Sequence, residues 1–308
     1  MNIVYMGTPD FAVQPLKALV NSADFNVIAV VCNHDKPVGR KQILTPPPVK
    51  EYANSVGIPV YQYDKIKTEG VQDLKALNPD VIVTCAFGQI LSQEIIDIPK
   101  LGVINVHASL LPKYRGASPI HFAILNGEKF TGVTIMKTDA GIDTGDMLIK
   151  EEVEIESEET CGELFSRLSL IGADLLVKGL TLIKDGKAEF IPQDNNKATI
   201  SKIIRKEMAK IDFSKSAEQV VNQIRAFNPA PIAFTYLSGE QFKIYKAKKT
   251  DGNGIAGEIL DATDRLIIAC GKDAIEVEII QRQGGKPLYV KDFLRGNKLL
   301  IGEIFTNA

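Results

Sequence analysis

The sequence is short of most features that would place it in a familiar class quickly. It has no CxxC pair and no Cys/His cluster; its four cysteines, Cys32, Cys85, Cys161 and Cys270, lie far apart. That spacing excludes the usual zinc frameworks and a disulfide scaffold. It leaves small apolar core residues in a reducing compartment. No apolar run approaches the length of a membrane span, and no basic segment followed by an apolar run opens the chain. A membrane protein and a secretory leader are therefore not expected, and the expected location is the cytoplasm. The first strand-like stretch and its glycine turn carry no GxGxxG, so a dinucleotide site is unsupported. A large charge of either sign is missing too: the formal net charge of −2 gives no global attraction to nucleic acid or membrane.

What is present is ordinary in amount and uneven in distribution. At 308 residues, 45% apolar and 24% charged, the chain is expected to fold as two soluble domains. Residues 1–200 hold 19 Lys+Arg against 25 Asp+Glu, whereas 201–308 hold 17 against 13. An acidic part precedes a basic one. Through residue 155, apolar runs with strand character (2–6, 27–31, 81–85, 101–104, 133–136) alternate with helical spacing. This predicts an α/β domain with an open, largely parallel sheet, whose ligands gather at the carboxyl ends of the strands. An amphipathic helix over 160–183 closes it. Few apolar residues follow, so 189–206 is expected to be a linker between domains at 1–188 and 207–308. Short strands at close spacing predict a small β-barrel for the second domain.

The most informative stretch is 105–116. Asn105 and His107 close an apolar run with Val106 between them, so on a strand they share one face. An amide beside an imidazole can hold an oxyanion and move protons. Alone, the pair is better read as a satisfied buried histidine and a turn asparagine. Asp143 lies across a helix and a strand and can return to the same sheet edge, with Asp139 and Asp146 as rivals on residue type. Phe87-Gly88-Gln89 ends the preceding strand in a loop able to admit a flat ligand. Residues 33–48 hold four prolines and the bases Lys36, Arg40 and Lys41, with Ile43-Leu44 near the tip. The segment is too long for a plain connection, and it reads as a surface excursion or as an arm for a polyanion. Residues 202–249, with Lys206, Lys246 and Lys248, hold 10 Lys+Arg against 4 Asp+Glu. That is a solvated face or a nucleic-acid surface.

Several motifs occur together: Met6-Gly7-Thr8-Pro9-Asp10-Phe11, Asn105-x-His107, Ser109-Leu110-Leu111-Pro112-x-x-Arg115-Gly116 and Asp139-x-Gly141-x-Asp143-Thr144-Gly145. With Arg225-Ala226-Phe227-Asn228-Pro229 and Lys286-Pro287-Leu288-x-x-x-Asp292-Phe293-Leu294-Arg295-Gly296, the chain resembles the folate-dependent formyltransferases almost end to end. Within them it is most similar to the members that act on charged initiator tRNA. The resemblance implies a Rossmann-like sheet of the formyltransferase type and a C-terminal, OB-like barrel. It implies 10-formyltetrahydrofolate as donor and the α-amine of methionine on initiator tRNA as acceptor, with no metal. Asn105, His107 and Asp143 would be catalytic. Ser109, Leu110, Leu111 and Pro112 would line the folate pocket, with Phe87, Gly88, Gln89 and Asp139 beside them. Lys36, Arg40, Lys41, Ile43, Leu44, Lys206, Lys246 and Lys248 would meet tRNA, and the molecule is expected to be a monomer. An amino-sugar formyltransferase on the same scaffold has no use for the basic arm, and a purely tRNA-binding protein has none for the catalytic triplet. One departure stands out: the family often carries tryptophan after Asn-Pro, where this chain has Ala230 and no tryptophan anywhere.

Overall fold

A computed structural model describes residues 1–39 and 41–306. Apolar strands buried on both faces are what a covered parallel sheet needs, and Val81–Cys85 and Asn2–Gly7 meet that description. They lie at the centre of a seven-stranded sheet. Its order is Met147–Glu154, Phe130–Lys137, Val103–His107, Val81–Cys85, Asn2–Gly7, Asn26–Cys32, Val60–Gln62. The pairings from Val103–His107 to Val60–Gln62 are all parallel. Phe130–Lys137 runs antiparallel to Val103–His107. The sheet is the largely parallel, Rossmann-like one expected, with an antiparallel pairing toward one edge.

Two layers cover it. On one face the long helix Cys161–Lys184 comes so near that a Cβ at Gly172 would press on Val106 and Val133. Ser169 donates to the Phe11 carbonyl, and Phe165 meets Phe11 edge-on. On the other face Val4, Met6, Val31, Ile82 and Val103 pack with Ile66, Leu74 and Ile95. Since Val106 faces the long helix, strand alternation turns Asn105 and His107 to the opposite side. The four cysteines are buried, and burial pushes the Cys32 thiol up to about 11 and the other three up to about 12. They are core residues and not nucleophiles.

Where the sequence led us to expect an extended loop, the described residues contain a two-stranded ribbon. Lys36–Val38 pairs antiparallel with Ile43–Thr45, with Pro37 opposite Leu44. Proline is tolerated there because the ribbon is not part of a larger sheet. The base of the ribbon is fastened by side chains. Lys50 donates to Asp35 and Gln62, Gln62 to the Asn33 carbonyl, and Asn33 to the Phe87 carbonyl. Lys50 and then Gln62 hold the Asp35 carboxyl below its usual range. Val38, Ile43 and Leu44 are exposed. Arg40 lies outside the described residues.

The chain divides into two units: residues 1–119, 131–153 and 165–202, and residues 120–130, 154–164 and 203–308. The second is built on an antiparallel sheet in the order Ala233–Leu237, Glu240–Thr250, Ala274–Arg282, Leu266–Ala269, Ile259–Asp261. Its two edges are bridged by the end of the chain, where Thr306 pairs with Tyr236 and Ile304 with Glu258. That is the closure of a small barrel, and its core holds Phe213, Phe242, Phe293 and Phe305. Ala230 is exposed, so the missing tryptophan leaves no hole there. Residues 193–201 do not hang free as a linker would. Ile200–Ser201 pairs in parallel with Arg115–Gly116. No helix among the described residues is long and apolar enough to cross a membrane.

Within the second unit the His121 ring tilts against Phe227, and burial lowers its pKa. The neutral ring is favoured in the folded state, so unfolded chains bind more protons just below the usual histidine value of about 6.5. Stability present above that pH is lost as pH falls toward the depressed folded-state value. His121→Gln is expected to flatten the loss of unfolding midpoint between about pH 6.5 and 5. An unchanged slope would show that other groups cause it.

Candidate active site

The strand Val103–His107 delivers two polar side chains to the carboxyl edge of the sheet, where the loop after Cys85 begins; the loop after the antiparallel Phe130–Lys137 leaves beside Val103 and Ile104 and brings Asp143 back to the pair. Thr84, opposite Asn105 in the parallel register, donates its hydroxyl to Asn105 Oδ1 at 2.9 Å. This fixes which way the amide points: Nδ2 faces away from Thr84 and toward Asp143 Oδ1, 3.4 Å off. His107 is only 5% exposed. Its Nε2 lies 3.0 Å from the Tyr114 carbonyl and its Nδ1 3.6 Å from Asp143 Oδ2. An imidazolium can donate at both positions, whereas a neutral ring donates at one.

Asp143 is the carboxylate that returns to the pair. Its backbone is left-handed, with φ 52°, an uncommon state for a side-chain-bearing residue in which Asp is among the better tolerated. The loop closes tightly, since a Cβ at Gly145 would strike the Lys137 carbonyl. The carboxylate accepts the Gly116 N–H at 2.8 Å on Oδ2, the oxygen that also faces His107. The rivals stand elsewhere. Asp139 is exposed and accepts from Thr144 Oγ1 and the Gly141 N–H, a turn role. Asp146 is exposed.

The other residues singled out in the sequence separate into two groups. Ser109 is fully buried; its hydroxyl donates to the Lys113 carbonyl at 2.6 Å and its own carbonyl accepts from Thr134. Leu111 is buried and Leu110 and Pro112 are partly exposed, around a cis Leu111–Pro112 peptide bond. Phe87 is a core residue, and Gln89 works as a clasp, bonded to Asn33, Tyr63 and Ile66. Gly88 is exposed with φ 82°. Beside these, Ile90 and Ile142 are 76% and 66% exposed, an apolar rim the sequence reading did not name. Lys36, Lys41 and Lys206 are exposed. Lys246 and Lys248 are committed: Lys246 to Glu158 at 2.9 Å and Glu278 at 3.4 Å, Lys248 to Glu276 at 3.4 Å.

Thr84, Tyr114, Gly116 and Gln193 all touch the triplet and were not singled out for it. Gly116 stands in one of the motifs quoted above, and Thr84 left a trace as the polar residue one short of the end of a buried strand.

Two family models match the chain: one described as formyl transferase over residues 1–180, and one as formyl transferase, C-terminal domain, over 203–298. The chain is 45% identical over 309 residues to the methionyl-tRNA formyltransferase of Ruminiclostridium cellulolyticum, covering 98% of this chain and 99% of that one. It is 46% identical over 305 residues to that of Bacillus licheniformis, with coverage of 97% and 96%. Among solved structures it is similar to the N-formyltransferase from Helicobacter canadensis, described in complex with folinic acid and dTDP-3-aminofucose. The TM-score is 0.68 at 24% identity, over 91% of this chain and 98% of that one. At that identity the likeness shows the fold alone.

Proposed function

The chain belongs to the formyl transferase family, and on that premise we propose that it transfers a formyl group from 10-formyltetrahydrofolate to the α-amine of methionyl-initiator tRNA. The observation that carries the mechanism is the convergence of Asn105 Nδ2 and His107 Nδ1 on the Asp143 carboxylate, at 3.4 and 3.6 Å. These contacts are slightly long, as is common before substrate draws a site together. The reaction is direct acyl transfer. The neutral amine attacks the formyl carbon, a tetrahedral oxyanion forms, and the folate nitrogen leaves with a proton. Asn105 Nδ2–H donates to the developing oxyanion, and the protonated His107 ring stabilises its charge. Such a donor is worth ~3–4 kcal/mol of barrier. Asp143 holds the imidazolium and accepts the proton of the attacking amine, directly or through water. No step asks for a cysteine or serine nucleophile.

The surroundings fit a flat co-substrate. Ile90 and Ile142 offer exposed apolar surface on the loops around the triplet, and Gly88 keeps its loop free of a side chain. Ser109–Pro112 form the near wall, and the ribbon with Lys36 and Lys41 is the surface we assign to tRNA. The amino-sugar reading has no observation in its favour: the relatives at 45–46% identity bear the tRNA-linked name. Formyl transfer to charged initiator tRNA, to free methionine and to amino sugars should be compared at equal donor concentration. Turnover is expected with the charged tRNA and to be at least about a hundredfold weaker with the small amines, which lack its remote contacts. A preference for an amino sugar overturns the acceptor assignment.

A further inference from the structure

We propose that Gln193, in the stretch that follows the long helix, is a positioning residue for Asp143. The proposal rests on the catalytic reading of Asp143 and extends it to a residue outside every motif of the site. Gln193 uses its whole amide. Both Nε2 hydrogens are spent on the catalytic loop: one goes to the Asp143 carbonyl at 2.9 Å, the other to the Gly145 carbonyl at 2.7 Å. Its Oε1 accepts from Arg115 Nε at 3.0 Å. Arg115 is buried, its other end donates to Asn195 Oδ1, and its backbone N–H is fixed to the Thr199 carbonyl. The next residue, Gly116, supplies the N–H that holds the Asp143 carboxylate. Gln193 thus ties the loop that carries Asp143 to the strand that grips its side chain.

The need for such a tie follows from the loop itself. Asp143 sits at φ 52°, so its neighbours must hold a backbone state that most side-chain-bearing residues avoid. Two donors aimed at carbonyls two residues apart do that, and a carboxamide is the side chain of this length that also offers an acceptor to Arg115. Glutamate at 193 keeps the partner of Arg115 but has no hydrogen for the carbonyls. Methionine keeps the length and loses both.

The test is made on the full-length protein with Gln193→Met, Gln193→Glu, Asp143→Ala and the double variant Q193M/D143A. Formyl transfer to charged initiator tRNA is followed by single-turnover kinetics, so that slow variants remain measurable. For both single Gln193 variants kcat is expected to fall at least about tenfold, as displacement of a reacting group does. KM for either substrate should stay close to the parent, while the unfolding midpoint falls in Gln193→Met, where the buried Arg115 Nε loses its acceptor. In the Asp143→Ala background, Gln193→Met should add little, because Gln193 acts through the carboxylate already removed. Should Gln193→Met fail to fold, Gln193→Glu, which preserves the Arg115 contact, carries the comparison. Undiminished kcat in the Gln193 variants beside a crippled Asp143→Ala overturns the positioning role alone. An equal loss in the Asp143→Ala background also overturns it, since Gln193 would then act elsewhere. Full turnover in Asp143→Ala overturns both the positioning role and the mechanism beneath it.

Discussion

Alanine at Asn105, His107 or Asp143 is expected to lower kcat by at least about a hundredfold in protein that remains folded, the usual consequence of losing a positioned donor or proton acceptor. The three losses differ in their side effects. Removing Asn105 takes the acceptor from the Thr84 hydroxyl, which is buried, so about 1–3 kcal/mol of stability goes with it. Removing Asp143 strands the Gly116 N–H and leaves His107 Nδ1 without its carboxylate. Removing His107 opens a cavity and takes one partner from the Tyr114 carbonyl, which the Ser201 hydroxyl also approaches. Asp139→Asn gives the internal control. Among the described residues its carboxylate serves Thr144 and the Gly141 N–H, so kcat should change less than with Asp143→Asn. Steady-state kinetics together with unfolding midpoints make the comparison. A near-normal kcat in a folded variant removes that residue from the mechanism, and a larger effect at Asp139 than at Asp143 means that the wrong aspartate was chosen.

Asn105 and His107 were legible in the sequence for a physical reason: strand alternation puts them on one face regardless of what surrounds them. Asp143 was not placed by the parallel-strand rule, since the strand before its loop, Phe130–Lys137, is antiparallel and the loop leaves beside Val103 before it returns to the pair. The parallel sheet was legible in the same way, from apolar runs spaced by helices. What escaped is held by hydrogen bonds to backbone, which leave no periodicity. Residues 193–201 look like a linker because they are polar, yet Gln193, Thr199 and Ser201 spend those polar groups on the loop around Arg115. A fragment ending at 188 would lose all three. The same blindness affected Gln89, which looked like a ligand-facing amide and is a clasp between Asn33, Tyr63 and Ile66. Charge counting does not see pairing. The basic excess over 202–249 is real, but Lys246 and Lys248 are paired with Glu158, Glu276 and Glu278, two of them on the neighbouring strand Ala274–Arg282. Cations already paired have less to give to phosphates.

The ribbon at 36–45 has the opposite character, and replacing Lys36, Arg40 and Lys41 together by alanine is expected to raise KM for charged tRNA. Lys36 and Lys41 are exposed and carry no ion pair among the described residues, and Ile43 and Leu44, on the strand paired with Lys36–Val38, are 61% and 65% exposed. Apolar residues held out on a two-stranded ribbon bury nothing in the free protein, which is the character of a surface waiting for a partner. The fastening by Asn33, Asp35, Lys50 and Gln62 fixes its base, so the ribbon is presented and not left to be ordered from a coil. That lowers the ordering cost of binding. Losing up to three phosphate contacts should weaken tRNA use by roughly tenfold to a hundredfold near physiological salt and reduce the salt slope by about one unit per contact. KM for the folate donor should stay the same, because the ribbon is not part of the triplet's surroundings. Separately, Ile43→Ser with Leu44→Ser should raise KM for tRNA without changing the salt slope, since no charge is lost. The measurement is KM for charged tRNA against salt for the parent and both variants. Parallel slopes with unchanged KM in the basic variant would make the ribbon a surface excursion and leave the docking of tRNA to other residues.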